Sequence, residues 1–232
     1  MSTPGVPQHY RGLWRRALLT APGVRDDTTL ALWMQTPQWH VDLRIPIDRP
    51  DCTGCRGPED CSADQLLGLL RQEGFAGITT VDGDTCEWHR QLDYRPNGRR
   101  DIGSMAFTPG FNVIDEYGIE TEYAERWERE PHDNGMQGIA LTPDAHAAGL
   151  WLFSGPFFMR VRARAMQIDV ARTAWQRVHD GSAHEDELRQ LADFEISFGN
   201  MAHGKGQILH STLPWLEGTR PEIPLWDTTA QG

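Results

Sequence analysis

Long apolar runs and an export signal are both missing from this sequence. No apolar run approaches the roughly 20 residues that a membrane-spanning helix needs. The longest, Gly149 to Met159, is interrupted by a Ser-Gly-Pro tripeptide and predicts a hairpin. The first ten residues lack the apolar segment of a signal peptide, and three arginines follow closely. We therefore expect a cytoplasmic protein without a membrane partner.

Basic clusters and common cofactor motifs are also missing. The net charge is -11, and the densest basic stretch, Arg160 to Arg164, alternates along a predicted strand and is too short for a duplex footprint. A nucleic-acid partner is therefore not expected. There is no P-loop, no Gly-x-Gly-x-x-Gly after a strand and no His-Glu-x-x-His, so we expect no cofactor. The absence of Gly-x-Ser-x-Gly argues against a serine hydrolase.

Cysteine is scarce, with four residues in 232. Cys52-x-x-Cys55, Cys61 and Cys86-x-x-His89 have spacings that could supply a zinc site. However, the two pairs are far apart in the sequence, and Cys86 and His89 point to opposite faces of a predicted strand. We assign no metal and favour reduced thiols, which suit a cytoplasmic protein. A structural zinc site and a disulfide are the alternatives.

What the sequence does contain is a repeated pattern rich in large aromatic residues, with nine Trp and eight Phe. Three segments of the first half recur in the same order in the second: Tyr10–Arg16 in Tyr123–Arg129, Leu32–Arg44 in Leu150–Arg162, and more loosely Cys86–His89 in Ala192–Glu195. The offset is about half the chain, which predicts an internal duplication. The predicted divisions are a first lobe at 9–120, a second at 121–212 and a Pro/Trp-rich tail at 213–232.

Short strands separated by turn signals dominate both halves. In Trp39–Ile45, apolar and polar residues alternate as in a half-buried strand. Asp82-Gly83 between two β-rich runs predicts a tight hairpin, and Ser62 to Gln65 predicts a capping box that opens a short helix. We therefore predict a mainly β protein of two pseudo-symmetric antiparallel β-barrel lobes with short helices.

The first strand also carries a family signature. Gly12-Leu13-Trp14 resembles the Gly-x-Trp signature of the lipocalins, in which the Trp plugs the closed end of a calycin-type barrel. The wider pattern resembles a bacterial family of uncharacterised proteins with two lipocalin-like lobes. A yeast casein-kinase-interacting protein of the same type is distantly similar. The resemblance implies the fold over nearly all of the chain and implies no settled activity. Glu125 stands where the second copy would carry the signature glycine.

The most reactive stretch is Cys86-Glu-Trp88-His89-Arg90. Trp88 and Arg90 share one strand face, and His89 lies on the other. If the face of Trp88 is internal, Arg90 is a buried cation that needs an anionic partner, which could be a ligand carboxylate. If the opposite face lines a cavity, His89 is a candidate general base. A core Trp with a solvated His is the alternative in which no site exists.

Other charged residues alternate with apolar ones in the same way. We expect the face that carries His40, Asp42 and Arg44 to be solvated, and likewise Arg160 and Arg162. The correspondence of Arg44 with Arg162 nevertheless suggests equivalent places in two lobes, each facing a carboxylate.

Glu195 and His210 are the acid–base candidates of the second half. Glu195 stands between two apolar residues, and His210 lies on the last predicted strand.

These observations favour the binding of a small, partly apolar molecule with a polar or anionic end, held by Arg44, Trp88, Arg90 and Arg162. The alternative is a cofactor-free isomerase, cyclase or lyase in which His89, Glu195 and His210 exchange protons with the substrate. A protein-interaction scaffold with filled lobes is a third possibility. The sequence does not indicate the ligand, the lobe that holds it or the oligomeric state.

Overall fold

The computed structural model describes residues 5–131, 137–143, 148–202 and 205–228. Within these residues the chain is mainly β, in two antiparallel sheets. The strands of the first sheet are β1 (Gly12–Ala21), β2 (Val24–Asp26), β3 (Leu30–Gln35), β4 (Trp39–Ile45), β5 (Glu73–Asp82), β6 (Thr85–Asp93), β7 (Ile102–Phe107), β8 (Val113–Gly118) and β9 (Ala124–Arg129). The predicted fold class is thus confirmed in its mainly β character.

The first sheet closes into an eight-stranded barrel, because β9 pairs with β1 as well as with β8. The short strand β2 only extends the hairpin at the end of β1. The sequence assigned the segment Tyr123–Arg129 to a second lobe that starts at 121. The structure instead places it in the same barrel as Trp14, with Trp127 opposite Arg16 in the register of β1 and β9. Trp127 is therefore not the counterpart of Trp14 in a second lobe.

The second sheet has the order β14-β13-β12-β11-β10-β15. Its strands are β10 (Gln137–Pro143), β11 (Ala148–Ser154), β12 (Phe157–Arg162), β13 (Glu195–Ala202), β14 (Lys205–Ser211) and β15 (Asp227–Thr228). Among the residues that the structure describes, no pairing joins the two edge strands, so a second closed barrel is not confirmed. The hairpin predicted within Gly149–Met159 is present as β11 and β12.

Three helices complete the fold: α1 (Ala63–Leu69), α2 (Ile168–Asp180) and α3 (Glu185–Ala192). The predicted capping box at the start of α1 is confirmed, since the side chain of Ser62 accepts from the N–H of Gln65, whose side chain accepts from the N–H of Ser62. The predicted hairpin is formed by β5 and β6, and Gly83 has the positive φ of 63° that its turn needs. No helix in the described ranges has the length and apolar character required to cross a bilayer.

One apolar core joins the barrel to the second sheet. The outward side chains of β3 and β4, such as Leu32 and Leu43, are fully buried against residues of the second sheet such as Leu152, Val161 and Ile196. Strand side chains alternate between faces, so the opposite faces of β3 and β4 must line the barrel interior. The polar face of β4 is therefore enclosed by the barrel.

Candidate functional site

Trp14 lies near the start of β1, next to the turn at Gln8–Tyr10. Its ring is fully buried, and its Nε1 donates to the carbonyl of Tyr10 over 2.7 Å. The guanidinium carbon of Arg129 lies 4.1 Å from the centroid of this ring. Arg129 also donates to the carbonyls of Arg11 and His9, over 2.6 and 2.8 Å. These contacts fix the turn at Gln8–Tyr10 to the last strand of the barrel.

An ion cluster occupies the barrel interior between β1, β4 and β9. Arg16 donates to Glu125 over 2.6 Å and to Asp26 over 2.8 Å. Arg44 donates to the same Glu125 oxygen over 3.0 Å and to both oxygens of Asp42, over 2.8 and 3.2 Å. Burial acts to lower the pKa of Arg44, but Asp42 and Glu125 outweigh it and raise the pKa well above its usual value. Both guanidinium groups are thus held rigidly by carboxylates.

Beside this cluster lies a second carboxyl group, that of Glu116 on β8. Its Oε1 accepts from the hydroxyl of Tyr123 over 2.8 Å and its Oε2 from Nε1 of Trp127 over 3.0 Å. Gly103 on the neighbouring strand leaves room for it, because a Cβ there would lie 3.1 Å from Cγ of Glu116. Burial, followed by the nearby charge of Glu125, raises the pKa of Glu116 to about 8. Glu116 is therefore mainly protonated at neutral pH, while Glu125 accepts from two arginines.

A cavity of about 270 Å³ borders both carboxyl groups. Four aromatic residues form much of its wall: Phe75, Trp33, Trp88 and Trp127. The ring of Trp33 meets those of Trp88 and Trp127 edge-on, with centroids 5.7 and 6.0 Å away. Pockets for drug-sized ligands hold roughly 300–1,000 Å³. The volume of this cavity is close to the lower end of that range.

Two polar atoms on the wall have unused hydrogen-bonding capacity. Nε1 of Trp33 and Oε2 of Glu125 are buried and have no partner in the described parts of the chain. Both residues line the cavity. More than nine in ten buried polar groups are satisfied in proteins, and an unsatisfied one costs about 1–3 kcal/mol. Both atoms are enclosed by protein atoms just behind the wall, so a molecule in the cavity reaches this donor and this acceptor only after a small shift of the lining side chains.

The mouth of the cavity is bordered by the connection between β6 and β7. Arg90 lies flat against Phe75, with 3.6 Å from its guanidinium carbon to the ring centroid, and donates twice to Asp101, over 2.6 and 2.9 Å. Arg99 is exposed at the same mouth. Within the ranges that the structure covers, its guanidinium group forms no ion pair. A free cation thus stands beside the entrance.

Three of the four predicted ligand-binding residues line this cavity: Arg44, Trp88 and Arg90. The anionic partner expected for Arg90 is present in the protein itself, as Asp101. His89 lies on the outer face of the barrel, where its side chain is 45% exposed and its Nε2 is 3.0 Å from the hydroxyl of Thr80. It does not border the cavity.

The expectation that the charged faces of β4 and β12 are solvated is wrong. His40 and Asp42 are buried in the barrel, and the side chains of Arg44, Arg160 and Arg162 are only 20%, 25% and 17% exposed. Burial lowers the pKa of His40 to about 3, with smaller effects from neighbouring cations, so its imidazole is neutral. The reason is that the apolar faces of β4 and β12 pack on one another's sheets, which leaves the polar face of β4 inside the barrel and the polar face of β12 on the side of the second sheet away from this shared core.

The remaining predicted residues lie in the second sheet. Glu195 is buried and accepts from the hydroxyl of Ser197 over 2.8 Å, and Nε of Arg162 is 3.7 Å from its Oε2. His210 lies on β14, where burial lowers its pKa. His89 and Glu195 belong to different sheets, so the structure does not bring the predicted acid–base pair together.

The cysteines are divided between two places. Cys86 is fully buried in the barrel core and His89 points outward, so they cannot join the other cysteines around one metal ion. Cys52, Cys55 and Cys61 lie together, with their Sγ atoms all within 4.8 Å of one another. No disulfide joins these four cysteines.

Sequence reasoning missed the two carboxyl groups that border the cavity. Glu116 lies two positions after Ile114 on β8, so the two side chains share one face of the strand, and both are buried. Glu125 was noticed only as a departure from the lipocalin signature. Both would have been found if the segment Tyr123–Arg129 had been assigned to the first barrel, because they are directly opposite each other in the register of β8 and β9.

Comparisons with known proteins bear on the fold. No family model matches the sequence, and no curated protein matches it. Among solved structures, the chain is similar to the crystal structure of an uncharacterized protein, YLR301w, from Saccharomyces cerevisiae. The TM-score is 0.55 with 14% identity, over 86% of this chain and 84% of the yeast chain. The expected distant similarity to a yeast protein is thus confirmed at the level of structure, and this likeness shows the fold alone.

Proposed function

We propose that this protein binds a small, partly apolar molecule in its first, lipocalin-like barrel. The observation that carries the proposal is the aromatic-lined cavity of about 270 Å³ inside the barrel, with the unsatisfied atoms Nε1 of Trp33 and Oε2 of Glu125 just behind its wall. A filled barrel in a scaffold protein would not leave a cavity of this size inside it.

The wall chemistry defines the inner end of the ligand. A small shift of the wall would expose an acceptor on Glu125 and a donor on Trp33, so a hydroxyl or a primary amide suits both. An anionic group is not favoured at this depth, because Arg16 and Arg44 are already neutralised by Glu125 and by further carboxylates. The middle of the ligand is apolar or aromatic, since it lies among tryptophan and phenylalanine rings.

The outer end of the ligand lies at the mouth, close to Arg99. A carboxylate or another anion at that end would pair with this exposed guanidinium group. Because the group is in solvent, the pair contributes little affinity, about 0–1 kcal/mol. It favours one orientation of the ligand over the reverse. We therefore propose the entrance as the position of the anionic end that the sequence suggested.

A thermal-shift screen of small phenols, aromatic amides and hydroxy acids tests the proposal. We expect at least one class to raise the melting temperature and to quench tryptophan fluorescence. Trp33→Phe keeps the ring and removes the donor, so affinity for a hit should fall about 2- to 10-fold, which corresponds to about 0.5–1.5 kcal/mol. Trp39→Phe, on the outer face of the barrel, is the matched control.

Two results would contradict the proposal. If none of these classes raises the melting temperature, the barrel is not a binding site for such molecules, and the scaffold becomes the better explanation. If Trp33→Phe and Trp39→Phe weaken a hit equally, or neither does, the ligand binds outside this cavity.

A second candidate function rests on the two facing carboxyl groups. Glu116 is protonated at neutral pH, whereas Glu125 is held by two arginines, and this division of roles is common in acid–base catalysis. A cofactor-free isomerase or lyase would use Glu116 as the proton donor, in place of the predicted His89. In that case Glu116→Gln should abolish turnover of a bound compound while leaving its affinity nearly unchanged. Turnover that survives this change would exclude Glu116 as the acid.

A further inference from the structure

Three thiols converge in the loop that connects β4 to α1. The N–H of Cys55 donates to the carbonyl of Cys52 over 3.0 Å, which closes a first turn. A second turn, Pro58–Asp60, ends with the N–H of Cys61 donating to the carbonyl of Pro58 over 3.2 Å. The two turns bring all three Sγ atoms within 4.8 Å of one another, although the sequence separates the outer two by nine positions.

The arrangement matches what a thiophilic metal ion requires. Zinc–sulfur bonds are about 2.3 Å long, so two thiolates of a tetrahedral zinc site lie about 3.8 Å apart. A contraction of about 1 Å or less therefore converts the present spacing into a ligand set. Cys52 and Cys61 are buried, and Cys55 is the partly exposed member of the group. Soft thiolates select zinc or copper(I) over calcium or magnesium.

We propose that Cys52, Cys55 and Cys61 bind one Zn²⁺ ion as thiolates, with the fourth position open beside Cys55. Binding forms three zinc–sulfur bonds and releases the three thiol protons to solvent, with no change of oxidation state. The fourth ligand is water, because no other His, Cys, Asp or Glu among the described residues completes the cluster. This site is separate from the barrel cavity and does not depend on a ligand there.

The position of the loop indicates a structural role. Cys52 and Cys61 belong to the core shared by the barrel and the second sheet, together with Leu66 of α1 and Leu188 of α3. A metal ion at this place would fix the loop where helices from the two halves of the chain meet. Because the unfolded chain holds no such site, the free energy of binding would add directly to stability.

Metal analysis of the full chain, purified with reducing agent and without chelator, tests the proposal. We expect close to one zinc per chain. Co²⁺ added to the stripped protein should give the intense near-ultraviolet band of cobalt–thiolate charge transfer, and Zn²⁺ should abolish that band and raise the melting temperature. Cys55→Ser, at the partly exposed position, should weaken Co²⁺ binding more than 10-fold. Cys86→Ser, which removes a thiol from the barrel core, is the matched control and should bind as the wild type does.

Several outcomes would overturn the zinc site. A stripped, reduced protein that gives no cobalt–thiolate band has no such site, and equal binding by Cys55→Ser and Cys86→Ser places the metal elsewhere. Thiol counting that finds two of the three cysteines oxidised would show a disulfide instead. Purified protein that contains copper in place of zinc, and keeps it against excess Zn²⁺, would assign the thiols to copper(I). If Cys86→Ser fails to fold, Cys86→Ala serves as the control.

Discussion

Replacing Glu116 by Gln should remove a pH dependence of stability that the barrel imposes. In the folded chain, burial and the charge of Glu125 raise the pKa of Glu116 from 4.5 to about 8. The folded state therefore binds a proton that the unfolded state releases between these values. The associated stability is fully present below about pH 4.5 and is lost as the pH rises through 8. At about 1.4 kcal/mol per pH unit, the loss between pH 5 and pH 8 is on the order of 4 kcal/mol.

The measurement is urea unfolding, followed by tryptophan fluorescence, at five pH values from 5 to 9. Glutamine has the shape and neutrality of the protonated acid, so the Glu116→Gln variant should lack this part of the decline. Glu122→Gln is the matched control, because Glu122 is exposed on the neighbouring turn. Other titrating groups, such as His40, cancel in the difference between wild type and variant. If the free energies of unfolding of wild type and Glu116→Gln stay parallel over this range, the pKa of Glu116 is not raised.

Three further changes probe the barrel and the shared core by urea unfolding. Arg129→Met should cost about 2–4 kcal/mol, because it removes three hydrogen bonds to carbonyls and a contact with a tryptophan ring, whereas Arg126→Met at an exposed pair should cost less than about 1. Equal losses would show that the contacts of Arg129 with the turn at Gln8–Tyr10 do not stabilise the barrel. Leu43→Ala should cost about 2–5 kcal/mol, since the side chain is fully buried between the sheets, and a loss below about 1 would contradict a shared core. Gly77→Ala places a Cβ 1.9 Å from a backbone carbonyl and should cost about 3 kcal/mol or more, whereas Gly83→Ala meets open space and should cost about 1. The opposite order would be incompatible with the close approach of β6 to Gly77, where the register between β5 and β6 shifts.

The strands and turns could be predicted from the sequence because their signals are local. The alternation in Trp39–Ile45 and the Asp82-Gly83 turn depend on residues within one strand or one hairpin, and both are present in the structure. What alternation does not reveal is which face of a strand lies inside. The apolar face of β4 was expected to be internal to its barrel. It is buried instead against the second sheet, and the polar face is enclosed by the barrel.

The candidate site could be predicted only in part, for the same reason. Trp88 and Arg90 were identified because they share one face of a predicted strand, and the structure shows that this face lines the cavity. The positions of Glu116 and Glu125 relative to the cavity depend on which distant strand closes the barrel. The sequence repeat assigned that strand, Tyr123–Arg129, to a second lobe. The pairing of β1 with β9 brings together residues that are far apart in the sequence: Arg16 and Glu125, which it places in contact, are separated by 109 positions. No local pattern specifies such a contact.

That long-range closure has a consequence during synthesis of the protein. Strand β1 leaves the ribosome first, yet its partner on one side is β9, which ends at Arg129. At roughly 5–20 residues per second, the nascent chain exposes this unpaired edge for on the order of ten seconds. Strand edges in that state can pair with other chains. The arginines on β1 supply charge that discourages such pairing until the carboxylate of Glu125 arrives to bind Arg16.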